Sequence, residues 1–250
     1  MQLNIFKDYQ TLSLHAAEAI VETVKSKPTA VLCFATGDTP RLAYELAAKK
    51  AINEKVDFTL CTFIGLDEWV GIPEQNTGSC RFFLENLVFQ PLLIEPARIH
   101  LFDAMSADLD RECRKMDEAI AETGGIDLMI VGVGLNGHIG FNEPGVSPEL
   151  YAHVINLDNI TLSTGQKYFS GATALKQGIT LGLKQVLQSK KLILMASGTK
   201  KAKVIQKALE EPINNDMPAG IIRTHPQGQA MIDEDAAALL HLQSTAPASE

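Results

Sequence analysis

Residues 132–144 read Gly-Val-Gly-Leu-Asn-Gly-His-Ile-Gly-Phe-Asn-Glu-Pro, the stretch of this chain richest in groups that could move a proton. His138 and Glu143 share a turn that also holds Asn136, Gly134, Gly137 and Gly140. Glycines let the main chain take positive φ and come close to a ligand. An imidazole followed closely by a carboxylate suits a proton relay in which Glu143 polarises His138. A metal site is a poorer reading, because the spacing H-x-x-x-x-E is not that of a zincin helix and no second histidine lies nearby.

Three further segments bring polar chemistry to what read as strand ends. Thr36-Gly37-Asp38-Thr39-Pro40 joins an apolar run to a helix start, where main-chain N–H groups and two hydroxyls could hold a phosphate. It is not a Walker loop, and Asp38 would repel an anion unless it points away, so a locally capped turn is an equal reading. In Ile64-Gly65-Leu66-Asp67-Glu68-Trp69 a strand runs into two acids and the single tryptophan. Desolvation beside a large apolar ring could make one acid a general base, and capping a helix is the alternative. Neighbours on extended chain point opposite ways, so at most one of Asp67 and Glu68 faces a pocket. Ser197-Gly198-Thr199-Lys200-Lys201 carries cations into a first helical turn, which the helix dipole disfavours unless an anion sits there. Either Lys200 or Lys201 could be that anion's ligand. His153, Lys167 and His225 read as residues of polar loops.

These segments need a scaffold that gathers strand ends, and the pattern supplies one. Helical spacing over Leu12–Ser26, Arg41–Lys50, Ser79–Phe89, Asp108–Glu122 and Lys200–Leu209 alternates with apolar runs. Those runs are Ala30–Phe34, Phe58–Leu66, Arg98–Leu101, Ile126–Val131, Lys191–Ala196 and Gln229–Ile232, and Pro40 fits the first position of its helix. Such alternation predicts one doubly wound α/β domain over 1–250, a mainly parallel Rossmann-like sheet with helices on both faces. In that architecture ligands bind beyond the carboxyl ends of the strands. The end of the chain, 241–250, reads as a frayed tail.

The chain has 250 residues, a formal net charge of −8, and 46% hydrophobic and 21% charged residues. That acidity argues against nucleic acid or an anionic membrane as partner. No apolar run reaches the length of a membrane span, and no signal peptide is evident. The four cysteines show no C-x-x-C or metal-ligand rhythm, which points to free thiols and the reducing cytoplasm. A monomer or small homo-oligomer is expected.

In its motifs the chain resembles the glucosamine-6-phosphate deaminase/isomerase family. The likeness rests on Ala35-Thr-Gly-Asp-Thr-Pro40, Leu66-Asp-Glu-Trp69, Gly132 to Pro144, and Gly198-Thr-Lys-Lys-Ala202, and runs from about Lys27 to Asp235. It implies a phosphorylated amino sugar as substrate, a ketohexose 6-phosphate and ammonia as products, and no cofactor or metal. On this likeness Asp67 is the base at C2, His138 and Glu143 open the ring, and Asn136 orients His138. Lys201, Thr36, Gly37 and Thr39 would hold the phosphate, with Gly137 in the substrate-binding loop. Asp38 departs from the small residue common in the family, and Lys167 stands where many members have arginine, keeping the charge but not the fork. The stretch 146–156 lacks the basic residues of the allosteric site of hexameric members, so no such activation is expected. Trp69 and Gln177–Gly182 look more like the galactosamine-6-phosphate branch. Two rivals share the architecture: 6-phosphogluconolactonase, which needs activated water but no C2 base, and a sugar-phosphate-sensing regulator domain, whose helix-turn-helix has no room here.

Overall fold

Strand and helix alternate as that pattern predicts, and the computed structural model describes residues 1–241. The chain opens with β1 (Gln2–Phe6), α1 (Tyr9–Ser26), β2 (Val31–Phe34), α2 (Asp38–Glu54), β3 (Thr62–Gly65) and β4 (Asp67–Trp69). It continues through α3 (Cys80–Leu84), β5 (Ile99–His100), α4 (Leu109–Glu122), β6 (Leu128–Gly132), β7 (His153–Asn156) and α5 (Asn159–Gly165). The last elements are β8 (Gln177–Thr180), α6 (Leu183–Gln188), β9 (Lys191–Ala196), α7 (Ala202–Glu210), β10 (Gly228–Asp233) and α8 (Glu234–Ala237). Of the expected tail, residues 242–250 lie outside the described residues.

Seven strands form a sheet in the order β1-β10-β9-β6-β2-β3-β5, parallel at every pairing. From β2 the chain steps outward to β3 and β5, then returns to β6 on the other side of β2. The order therefore reverses between β2 and β6, and a crevice opens above their carboxyl ends.

The apolar runs are continuous because both faces of the sheet are covered. In β2, Val31 and Cys33 enter one core while Leu32 and Phe34 enter the other; in β6, Met129 and Val131 separate from Leu128 and Ile130 in the same way. One core is closed by residues of α1 and α2, the other by residues of α4, α6 and α7. Helix starts follow the side chains that cap them: Asp8, Ser79, Asp108, Asp158 and Asp233 each accept a main-chain N–H of the first turn.

A second, three-stranded antiparallel sheet in the order β4-β8-β7 has no counterpart in the sequence reading. The expected strand over Phe58–Leu66 is shorter, Thr62–Gly65, and the chain crosses at Leu66 into β4 of the small sheet. His153 lies on β7 rather than in a loop. The helix expected at Arg41 starts earlier, at Asp38, so Pro40 is its third residue and still within the turn whose N–H groups lack partners. Beneath the small sheet Trp69, Phe141 and Phe169 pack edge to face with Ile72, Cys80 and Leu157. This satellite core joins the strand that carries Asp67 to the glycine-rich turn.

Candidate active site

In the sheet the strands β9, β6, β2 and β3 are consecutive neighbours, so the segments that follow them meet above one edge. They surround a cavity of about 780 Å³. Its lining includes Thr36, Gly37, Asp38, Thr39, Asp67, Gly134, His138, Lys167, Lys200 and Lys201. Asn136, Gly137 and Glu143 stand behind this surface in the turn that carries His138.

The glycines of that turn are there for space. The His138 ring lies against Gly134, where an added Cβ would come within 2.3 Å of Cε1. Gly140 takes φ +56°, and a Cβ there would sit 3.4 Å from Asp67 Oδ2, so the turn and the Asp67 carboxylate face each other directly.

Glu143 is buried at 4% exposure and ties the turn together. Its Oε2 accepts from Asn136 Nδ2 at 2.7 Å and lies 3.6 Å from His138 Nδ1, while Oε1 accepts from the Asp158 N–H at 3.2 Å. Burial works against its ionisation, but the bonds from His138, Thr161 and Asn136 outweigh it and hold the carboxyl below the usual range. Asn136 Oδ1 accepts the main-chain N–H of His138 at 3.3 Å, so its bond is to the histidine's backbone and not to the ring. Thr161, on α5, completes the group at 3.0 Å from His138 Nδ1.

The two acids after β3 divide their work as extended geometry requires. Asp67 faces the cavity. Glu68, 5% exposed, turns away and accepts the N–H groups of Trp69, Cys80 and Arg81 at 2.9, 3.0 and 2.9 Å, capping α3. Burial, and then repulsion from Glu68, push the Asp67 carboxyl up to about 7, against a bond from Cys80.

Gly37, with φ +118°, also lines the cavity and is the N-cap of α2. The turn before α7 is held by Asp233, which accepts from Ser197 Oγ and from the Gly198 N–H at 3.0 Å. Lys201 reaches back from this turn to donate to the Val133 carbonyl at 2.6 Å. Burial, with Lys167 nearby, lowers Lys201 to about 8 despite Asp38. Lys167 pairs with Asp38 at 2.6 Å, so the carboxylate that looked misplaced in a phosphate loop carries its own counter-ion.

Several lining residues escaped the sequence reading. Tyr168 sits over Gly37, with its hydroxyl 3.2 Å from where a Cβ would be. Cys80, Thr161, Ser163 and Thr164 also reach the cavity. The pair Asp158-Asn159 carried a usable signal, since an aspartate at an N-cap marks the start of α5 and so places Thr161 in its first turn. Nothing local marks Tyr168 or Cys80. His225, by contrast, is buried far from these groups against Ser189.

A parallel sheet with a crossover crevice, a desolvated carboxylate, an imidazole–carboxylate pair and basic groups on the same cavity describe an α/β protein built for acid–base work on a small anion. The model described as glucosamine-6-phosphate isomerases/6-phosphogluconolactonase matches residues 8–232, and the chain belongs to this family. It is 36% identical over 243 residues to a glucosamine-6-phosphate deaminase of Clostridium botulinum, covering 97% of this chain and 100% of that one. A glucosamine-6-phosphate deaminase of Thermoanaerobacter pseudethanolicus is 35% identical over 241 residues, covering 96% and 95%. Among solved structures, a monomeric glucosamine-6-phosphate deaminase superposes with a TM-score of 0.93 at 34% identity, over 96% of this chain and 100% of its own. The 6-phosphogluconolactonase of Trypanosoma brucei shares the fold, with a TM-score of 0.77 at 18% identity over 95% of this chain and 97% of its own.

The raised Asp67 carboxyl has a consequence for stability. In the unfolded chain it ionises near 3.8, in the fold near 7, so stability falls as pH rises between these values. Asp67→Asn removes that cost. Thermal or urea unfolding at pH 8 is expected to show the variant more stable by up to about 4 kcal/mol, the gain vanishing below pH 4. A gain that does not depend on pH would show that the carboxylate is not desolvated.

Proposed function

We propose that this chain converts a hexosamine 6-phosphate, with water, into a ketohexose 6-phosphate and ammonia, and that glucosamine 6-phosphate is the substrate. The observation that carries this reading is that Asp67, His138, Lys201 and the start of α2 all line one cavity. Relatives bearing the deaminase name along nearly the whole chain support it. The lactonases support only the fold, and lactone hydrolysis gives a C2 base nothing to do.

In this reading the phosphate is received by the N–H groups and hydroxyls of Thr36–Thr39 and by Lys201, with Lys167 released from Asp38 to join them. His138, steadied by Glu143, Asn136 and Thr161, carries a proton from the C1 hydroxyl to the ring oxygen. The ring bond breaks and C1 becomes an aldehyde. The aldehyde makes the C2 hydrogen acidic, and Asp67 removes it. The electron pair of that C–H bond forms the C1–C2 double bond as the carbonyl oxygen takes up a proton, which gives an enolamine. Return of a proton to C1 leaves an iminium at C2, to which water adds and from which ammonia departs. A base that ionises near 7 is strong enough for the hydrogen and about half ionised at neutral pH. Its ionised fraction grows as pH rises, so the base-dependent step should quicken through pH 7.

Trp69, the residue that pointed to the galactosamine branch, is 5% exposed and mostly occupied in the aromatic packing beneath the small sheet. Trp69 also lines the cavity, and the preference for glucosamine 6-phosphate is supported by the relatives that carry that name. We take the working state to be a monomer in the cytoplasm. The monomeric deaminase relative supports the first part, and four unpaired cysteines support the second. No helix among the described residues is long and apolar enough to cross a membrane.

Ammonia release assayed with glucosamine 6-phosphate and galactosamine 6-phosphate in parallel is expected to show turnover of the first; release from neither would refute the assignment. Asp67→Asn is expected to abolish exchange of the C2 hydrogen with solvent deuterium, read by NMR, while substrate still binds. Exchange at the wild-type rate would remove Asp67 as the base. His138→Gln should lose about 100-fold in kcat/KM on the cyclic sugar but far less on C2 exchange in an open-chain analogue. Equal losses on the two would count against a ring-opening role.

A further inference from the structure

Among the cavity side chains with no part in the reaction as proposed, Cys80 lies against the base. Cys80 opens α3, is 6% exposed, and presents its sulfur to the cavity. Asp67 Oδ1 lies 3.6 Å from that sulfur, and Thr36 Oγ1 lies 3.1 Å from it on the other side. The threonine hydroxyl donates into a sulfur lone pair, which leaves the S–H free to point at the carboxylate. A thiol is a weak donor, but its worth rises where water is excluded and the acceptor is charged.

The other titratable groups near Asp67 are occupied or bring charge of the wrong sign. Glu68, next to it on β4, is held by three main-chain N–H groups and repels. The Tyr44 hydroxyl, from α2, donates to the Ala35 carbonyl at 2.8 Å. Cys33, from β2, lies close enough to feel the Asp67 charge, and burial pushes its thiol well up. His138 lines the same cavity from the glycine-rich turn, and its Nδ1 bonds Thr161. Among the described residues Cys80 is the one side chain that donates to Asp67. Burial, then the charges of Glu68 and Asp67, push the Cys80 thiol well above its ordinary range, so it remains an S–H at every pH where the protein works.

We propose that Cys80 is a positioning residue for the base at C2: its S–H holds the Asp67 carboxylate and, through Thr36, couples it to the loop that receives the phosphate. This rests on the reading of Asp67 as the base. Thr36 bonds the sulfur from within the loop that receives the anion, so that loop and the carboxylate are joined through one hydrogen-bonded chain. The base is thereby aimed by the far end of the substrate.

The test is the pH profile of kcat/KM for ammonia release in Cys80→Ala and Cys80→Ser, each as a ratio to wild type so that the substrate's own phosphate ionisation cancels. Without the S–H, the acid limb of Cys80→Ala is expected to move up by about half a pH unit, roughly a threefold loss below the limb that is recovered on the alkaline plateau. Cys80→Ser, with a stronger donor, should move the limb down. A constant loss at all pH in both variants, with the limb unmoved, would reduce Cys80 to packing and overturn the proposal. If Cys80→Ala does not fold, the comparison of wild type with Cys80→Ser still decides, and an unmoved limb there is the adverse result. Asp67→Asn separates the two levels of the argument. A profile unchanged in Asp67→Asn would sink the base assignment itself, whereas lost turnover there with immobile limbs in the Cys80 variants would sink only the role of Cys80.

Discussion

Everything at this site depends on where the chain leaves the large sheet. β3 ends at Gly65, and after Leu66 the main chain pairs with β8 of the small sheet, Asp67 opposite Thr180. At that crossing one acid must face the crevice and the next must face the protein. Glu68 takes three N–H groups of the following segment and so fixes the crossing, and Asp67 is left where water is scarce. Its raised proton affinity follows from that burial first, and then from the charge of Glu68 beside it.

The parallel sheet supplies the rest by adjacency. Because the strand order reverses between β2 and β6, the turns after β9, β6, β2 and β3 share one rim although more than 160 residues separate Thr36 from Lys201. Three of these segments are braced from behind by a buried acid that accepts main-chain or amide hydrogens. Glu143 does this for the glycine-rich turn, Asp233 for the turn before α7 and Glu68 for α3. Buried carboxylates with satisfied oxygens hold loops rigidly. The main chain that carries Asp67, His138 and Lys201 is thereby held in place before any ligand enters.

The large sheet was legible because strands covered on both faces are unbroken apolar runs, as in Leu128–Val131 and Leu192–Ala196. The small sheet was not. β7, His-Val-Ile-Asn, is half exposed, and β8, Gln-Gly-Ile-Thr, begins at a polar residue and a glycine. At such lengths alternation cannot be told from a loop. β1, an edge strand, hid for the same reason. In the site, the residues legible from sequence were those whose type is unusual for a strand end: His138, Glu143, Asp67 and Lys201. Thr161, Tyr168 and Cys80 are ordinary residues in their own segments, and only the approach of separate parts of the chain gives them a role. Asp38 shows the converse. Its charge looked wrong for its loop until Lys167, 129 residues away, was found paired with it.

The central claim is that one bound sugar lies with C1 and C2 between Asp67 and His138 and its phosphate at Thr36–Thr39 and Lys201. The most direct measurement is a crystal structure with a reduced, open-chain 2-amino-2-deoxyhexitol 6-phosphate, which cannot react. The account places the Asp67 carboxylate against C2, the His138 ring toward the C5 hydroxyl, and the phosphate on the α2 start with Lys167 turned to it from Asp38. A ligand lying the other way round, or bound with Asp67 on the far side from C2, would contradict it.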